Sequence, residues 1–141
     1  MTHFFDSSAI AAAYGSQPNG ARARHLLQGR VLVSRLAEVE VVSALARLAR
    51  EISLSNARRD AGISEFLLDF VRWEIVEVAP DVTARARGLL VAHVLRASDA
   101  IQLASVLLVQ SRLAGALDGF VAFDRRLVDA ARRENLTVID G

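Results

Sequence analysis

The 141-residue chain carries 17 basic and 16 acidic side chains, for a net charge of +1, and 52% of it is hydrophobic. That length suits one compact domain spanning residues 1–141, and the apolar content excludes disorder and provides for a filled core. Cysteine is absent, which excludes a disulfide scaffold, a thiolate metal site and a cysteine nucleophile.

All of the basic residues are arginine; there is no lysine. Genome base composition suffices to explain this, yet the absence removes whole mechanisms. No GxxxxGK(S/T) loop occurs and no P-loop lysine is available. Haloacid-type phosphotransferases and response-regulator receivers pair an acidic pocket at strand ends with a lysine that this chain cannot supply. A pI near 8.5 does not by itself announce a nucleic-acid binder. No basic stretch precedes Asp6, so a secretion signal is not expected. The longest apolar run, Leu103–Val109, is interrupted by Ser105 and is too short to span a bilayer. A cytoplasmic protein without a membrane segment is the expectation.

In chain order, residues 2–5 (THFF) read as a short buried strand ending at Asp6-Ser7-Ser8, three good helix N-cap types. A helix over 9–14 breaks at Gly15-Ser16-Gln17-Pro18-Asn19-Gly20, and a second covers 21–28. Val31-Leu32-Val33 is a brief strand. Ser34 then caps a helix over 35–50, with Val41, Leu45 and Leu48 on one face. Ser55 or Asn56 caps a helix running to Val71. Residues 73–78 (WEIVEV) alternate and are β-rich, which predicts a strand. Pro80-Asp81 opens a helix to His93, and Ser98 or Asp99 starts another to Val109. A buried strand at 119–123 leads to Asp124, which caps a helix to Glu134, and 136–139 is a closing strand.

Five short apolar strands separated by helical stretches, with no two-residue hairpin signal, predict an α/β fold. Its mostly parallel sheet is covered by helices on both faces. Ligands bind such sheets beyond the carboxyl ends of the strands. Asp6 and Asp124 both stand between a strand and a helix, at that edge.

Four acids are candidates for chemistry: Asp6, Glu40, Asp99 and Asp124. Each has a plainer reading, as an N-cap for the three aspartates and as a solvated helical side chain for Glu40. Val39, Val41 and Val42 crowd Glu40, which predicts its partial desolvation, whereas Glu38 lies on another side of the helix. Together the four are more informative than singly. Carboxylates are hard oxygen donors suited to Mg²⁺ or Mn²⁺. Four held close together would repel one another by several kcal/mol at an effective dielectric near 20. Without cations some would stay protonated. With them, water can be activated and both the attacking and leaving oxygens at phosphorus stabilised.

These motifs resemble the PIN domain, and particularly the small toxins of VapBC-type toxin–antitoxin systems. The resemblance rests on the apolar strand before Asp6-Ser7-Ser8-Ala9, on Ser34-Arg35-Leu36-Ala37 leading to Glu40 and Ser43-Ala44-Leu45, on Leu95-Arg96-Ala97-Ser98-Asp99-Ala100-Ile101-Gln102-Leu103-Ala104, and on Phe120-Val121-Ala122-Phe123-Asp124-Arg125-Arg126-Leu127. It implies a three-layer α/β/α sandwich and a Mg²⁺- or Mn²⁺-dependent endoribonuclease acting on structured RNA such as tRNA or rRNA. It also implies a homodimer neutralised by a small DNA-binding antitoxin. Asp6, Glu40, Asp99 and Asp124 fall on the family's acidic positions. Two departures bear on rate or substrate grip: Ala122 replaces a common Thr or Ser, and Ala12 replaces a common lysine.

The expected mechanism is in-line attack on an RNA phosphodiester. Asp6, Asp99 and Asp124 would hold the metal, and Glu40 would ligate it or orient the attacking water. Ser7 and Arg47 are candidate substrate contacts, with capping and pairing with Glu51 as their plainer roles. Arg125 and Arg126 are further candidates, with Arg22 and Arg24 extending a basic rim. His3, His25 and His93 show no ligand spacing. The competing reading is a PIN-like module that dimerises and binds an antitoxin with little or no catalysis. A DNA-directed nuclease ranks below it, because the chain lacks the extra helices such enzymes use.

Overall fold

Phe4 and Phe5 are neighbours in the first strand, so their side chains leave it on opposite faces, and both are fully buried. A strand buried on both faces requires a covering layer on each. The computed structural model, which describes residues 1–141, has that arrangement. Its strands are β1 (Thr2–Phe5), β2 (Arg30–Ser34), β3 (Glu74–Val76), β4 (Gly119–Val121) and β5 (Val138–Ile139). Its helices are α1 (Ser7–Tyr14), α2 (Ala21–Leu26), α3 (Ala37–Arg50), α4 (Asn56–Phe70), α5 (Pro80–Ala92), α6 (Ala97–Leu113) and α7 (Arg125–Arg133). All four strand pairings are parallel, in the order β3-β2-β1-β4-β5.

The alternation of side chains sorts two cores. Phe5, Val31, Val33 and Val121 pack with residues of α1 to α4. Phe4, Leu32 and Phe120 pack with residues of α5, α6 and α7. The result is the expected three-layer α/β/α sandwich. On the first face, Tyr14, Phe66, Phe70 and Trp73 form an aromatic cluster with ring centroids 5.4 to 6.4 Å apart. Helix α1 is covered almost completely, presenting small side chains, Ile10 and the aromatic Tyr14 to its neighbours. The turn at 18–20 approaches it so closely that a Cβ on Gly20 would lie 2.2 Å from the Ala12 carbonyl oxygen. No single helix is long and apolar enough to cross a membrane.

Element boundaries depart from the sequence expectation in informative places. Ser34 stays in β2, and its Oγ accepts from the Leu36 N–H at 3.1 Å, so α3 begins only at Ala37. Helix α6 begins at Ala97, which puts Asp99 inside its first turn rather than at its cap, and it runs past Val109 to Leu113. The helix stops where Ala114 adopts a left-handed conformation, φ 47°. Strand β3 covers only Glu74–Val76 because it is an edge strand, paired with β2 alone.

The aromatic cluster generates a stability prediction. Phe66 is 0% exposed whereas Leu68, two residues on, is 71% exposed. Phe66→Ala is expected to lower unfolding stability by about 3–5 kcal/mol through cavity formation. Leu68→Ala should change it by less than about 0.5 kcal/mol. Urea denaturation of the two variants checks the contrast.

Candidate functional site

The strand order reverses beside β1: the chain first builds outward through β2 and β3, then returns to place β4 on the other side. Such a switch point opens a crevice at the carboxyl ends of the two strands. Asp6 directly follows β1, and its backbone N–H donates to the Val121 carbonyl of β4 at 2.9 Å. Asp124 follows β4. The first turn of α3 brings Glu40 and the first turn of α6 brings Asp99. All four acids line one cleft of about 190 Å³, together with Ser7, Ser8, Ser43, Arg47, Arg96 and Ser98. A roomier cleft of about 400 Å³ lies against α1, α2 and α4, lined by Tyr14, Arg24, Arg58, Asp69 and Trp73 among others, and contains none of the four.

Each carboxylate gives one oxygen to the protein. Asp6 Oδ2 caps α1, accepting from the Ser8 N–H at 3.1 Å and from the Ser8 hydroxyl. Asp124 Oδ1 caps α7 by accepting from the Leu127 N–H at 3.2 Å. Asp99 Oδ2 accepts from the Arg96 N–H at 3.4 Å. Glu40 Oε1 accepts from the Ser7 hydroxyl at 3.0 Å and from Gln102 Nε2 at 2.8 Å. The second oxygen of each acid takes no hydrogen bond from the chain. No three carboxylate or imidazole groups stand close enough, as placed, to coordinate an ion. Like charges repel, and a divalent cation is one counter-charge that would offset the repulsion among these four acids.

Their ionisation reflects the same tension. Burial pushes the Asp6 carboxyl up from 3.8 to about 6; the Ser8 hydrogen bonds oppose this, and the charges of Glu40 and Asp99 add to it. The Asp99 carboxyl is also raised, by burial first and then by Asp124, with Arg96 pulling the other way. An all-oxygen donor set with a buried, charge-stressed aspartate at its centre fits a hard divalent cation.

Residues 3–133 match the PIN domain family model. The chain belongs to the PIN domain family. No protein of curated function is similar enough in sequence to match. Among solved structures, the chain is similar to VapC20 of Mycobacterium tuberculosis, a sarcin–ricin loop cleaving toxin. The two are 21% identical with a TM-score of 0.62, covering 91% of this chain and 94% of that one. It is similar to VapBC2 of Rickettsia felis bound to a promoter DNA fragment, at 14% identity and TM-score 0.65, over 99% and 98% of the chains. A toxin–antitoxin complex from Klebsiella pneumoniae matches at 16% identity and TM-score 0.62, over 86% of each chain. At these identities the likeness is one of fold.

The PIN cleft gathers Asp6, Glu40, Asp99, Asp124, Ser7 and Arg47 from the sequence candidates. Arg125 and Arg126 are exposed at the start of α7, and Arg125 opens onto a neighbouring cleft with Asn19, Asp129 and Asp140. Arg24 lies at the larger cleft, where its Nη1 donates to the Ala13 carbonyl at 3.3 Å. His3 is buried with its pKa lowered by burial, His93 contacts Glu134 at 2.7 Å and His25 is exposed. Three further residues of the site are not among the sequence candidates for chemistry. Ser8 ties Asp6 to the Phe123 N–H, which donates to its Oγ at 3.1 Å. Arg96 lines the cleft beside Asp99. Gln102, one turn after Asp99 on the same helix face, reaches Glu40, and its only sequence signal was polarity within an apolar helix.

The raised Asp6 pKa sets a pH dependence. The folded state holds a proton that the unfolded state releases between pH 3.8 and about 6, so cation-free stability falls as pH rises through that window. The penalty above it is roughly 3 kcal/mol. Asp6→Asn, which keeps a capping oxygen, should therefore stabilise the cation-free protein by up to about that amount at pH 7.5 and by nothing near pH 4. Urea unfolding in chelator at both pH values decides the matter; equal midpoints at pH 7.5 would refute it.

Proposed function

We propose that this PIN domain is the toxin of a type II toxin–antitoxin system, a Mg²⁺- or Mn²⁺-dependent endoribonuclease that hydrolyses structured RNA such as tRNA or rRNA. The observation that carries the reading is the convergence of Asp6, Glu40, Asp99 and Asp124 on one cleft at the switch point of the sheet. Asp6, Asp99 and Asp124 would hold the cation through their uncommitted oxygens, with Glu40 as a further ligand or as the acceptor that orients the attacking water. A divalent ion bound there lowers the pKa of water and offsets charge at the scissile phosphate.

The rest is done by the chain. Arg47 and Arg96 share the cleft with the acids, and guanidinium groups suit bidentate contact with phosphate oxygens. They place the phosphodiester against the acids rather than leaving it repelled by them. Arg125 and Arg126 sit in the first turn of α7, where the helix dipole disfavours cations; contact with flanking RNA backbone gives them a use there. Helices beginning at the cleft also aim backbone N–H groups toward the bound anion.

The likeness to a toxin–antitoxin complex and to VapBC2 on promoter DNA supports a DNA-binding antitoxin as partner. That VapC20 cleaves the sarcin–ricin loop supports RNA as the substrate class. Exposed apolar side chains at Leu67 and Leu68 of α4 and Val71 just after it, and at Leu90, Val91 and Val94 around the end of α5, offer faces for a homodimer and for the antitoxin. The site of action would be the cytoplasm.

Replacing Asp6 or Asp99 by Asn should reduce Mg²⁺-dependent RNA cleavage by more than about 100-fold, beyond the 10–100-fold typical of residues that only support a metal ligand. Arg47→Ala should chiefly raise KM for RNA. Cleavage of labelled tRNA and rRNA fragments, with Mg²⁺ and with chelator, measures both effects. Full activity of both Asn variants would remove the four-acid site. Wild-type inactivity alongside a tight antitoxin complex would favour the binding-module reading instead.

A further inference from the structure

Gln102 is 1% exposed and belongs to a closed ring of three side chains. Its Nε2 donates one hydrogen to Glu40 Oε1 at 2.8 Å and the other to Ser7 Oγ at 3.0 Å. The Ser7 hydroxyl in turn donates to the same Glu40 oxygen at 3.0 Å. Glu40 Oε1 thus accepts from two side chains, while its Oε2 takes no hydrogen bond from the chain. The amide orientation follows from chemistry: reversed, Gln102 would set an oxygen against a carboxylate oxygen. Its own Oε1 is buried without a partner, so the side chain is placed for its donor end.

The ring joins α6, α3 and α1, the helices that carry Asp99, Glu40 and the residue after Asp6. We propose that Gln102 is a positioning residue that locks Glu40 Oε1 into this ring, so that Glu40 serves the cleft through Oε2 alone while three of the four acids are held in fixed relation. Glu40 is then a one-oxygen participant, unable to chelate a cation with both oxygens unless the ring opens. The proposal rests on the reading of the cleft as a cation-dependent nuclease site.

The test uses the full chain as wild type, Gln102→Met, Gln102→Glu and, as a control for buried-core damage in the same helix, Val106→Ala. Mn²⁺ affinity is measured by calorimetry, and RNA cleavage is measured as separate kcat and KM. Gln102→Met keeps length and burial but loses both donors; it is expected to weaken Mn²⁺ binding and kcat by about 10–100-fold while KM for RNA stays near wild type. Gln102→Glu, which sets a carboxylate against Glu40, should lose more. Val106→Ala should lower stability and leave Mn²⁺ affinity unchanged. Wild-type Mn²⁺ affinity and kcat in Gln102→Met, or an equal loss in Val106→Ala, overturns the positioning role and leaves the nuclease reading standing. Weakened Mn²⁺ binding in Gln102→Met with no RNA cleavage by wild type supports the positioning role and overturns the nuclease reading. A wild type that takes up no Mn²⁺ overturns both.

Discussion

A carboxylate placed at the end of a central, covered strand has little water to solvate its charge, and the site is organised around that difficulty at Asp6. Its strand is central because Phe4 and Phe5 each demand a helical layer, and because β2 and β4 pair with it on either side. Asp6 therefore ends up 5% exposed, supported only by the backbone and hydroxyl of Ser8 and close enough to Glu40 and Asp99 to feel their charge. An apolar side chain or a neutral cap would serve stability better. Under the proposed function, a bound cation would offset that cost.

Helix starts deliver the remaining acids. Asp6 and Asp124 are the N-caps of α1 and α7, while Glu40 and Asp99 lie in the first turns of α3 and α6. Four helix N-termini thus converge on one cleft. Their partial positive charge moderates repulsion among the acids and favours an approaching anion. The same backbone feature therefore steadies the cluster before any ligand arrives and suits the phosphate that the proposed reaction brings.

From the sequence, capping and metal ligation are rival roles for Asp6, Asp99 and Asp124. In the structure they are compatible, because a carboxylate has two oxygens and the local hydrogen bond occupies one. The strands and their two-faced burial were legible from Phe4-Phe5 and Val31-Leu32-Val33, since period-two alternation fixes which face each residue takes. Edges were less legible: β3 ends early because it has a neighbour on one side only, which local composition does not report. Helix α6 runs past its expected end at Val109 through polar Gln110, Ser111 and Arg112, where Arg112 pairs with Asp81 at 3.3 Å. Gln102 and Arg96 were invisible as site residues because their roles depend on α1, α3 and α6 meeting, a fact of tertiary packing.

Charge balance adds a last constraint. The chain is nearly neutral overall at +1, so net charge by itself supplies little attraction for nucleic acid. Under the proposed function, grip must be local, from Arg47 and Arg96 inside the cleft and from arginines such as Arg125 and Arg126 at its approaches. These groups share their neighbourhood with four acids, which cancel much of their attraction until a cation is bound. A cation held by Asp6, Asp99 and Asp124 would offset the negative charge that opposes RNA, so cation and phosphate would favour each other's binding. Under that reading the placement of charges would make the cation a condition for substrate binding as well as for chemistry.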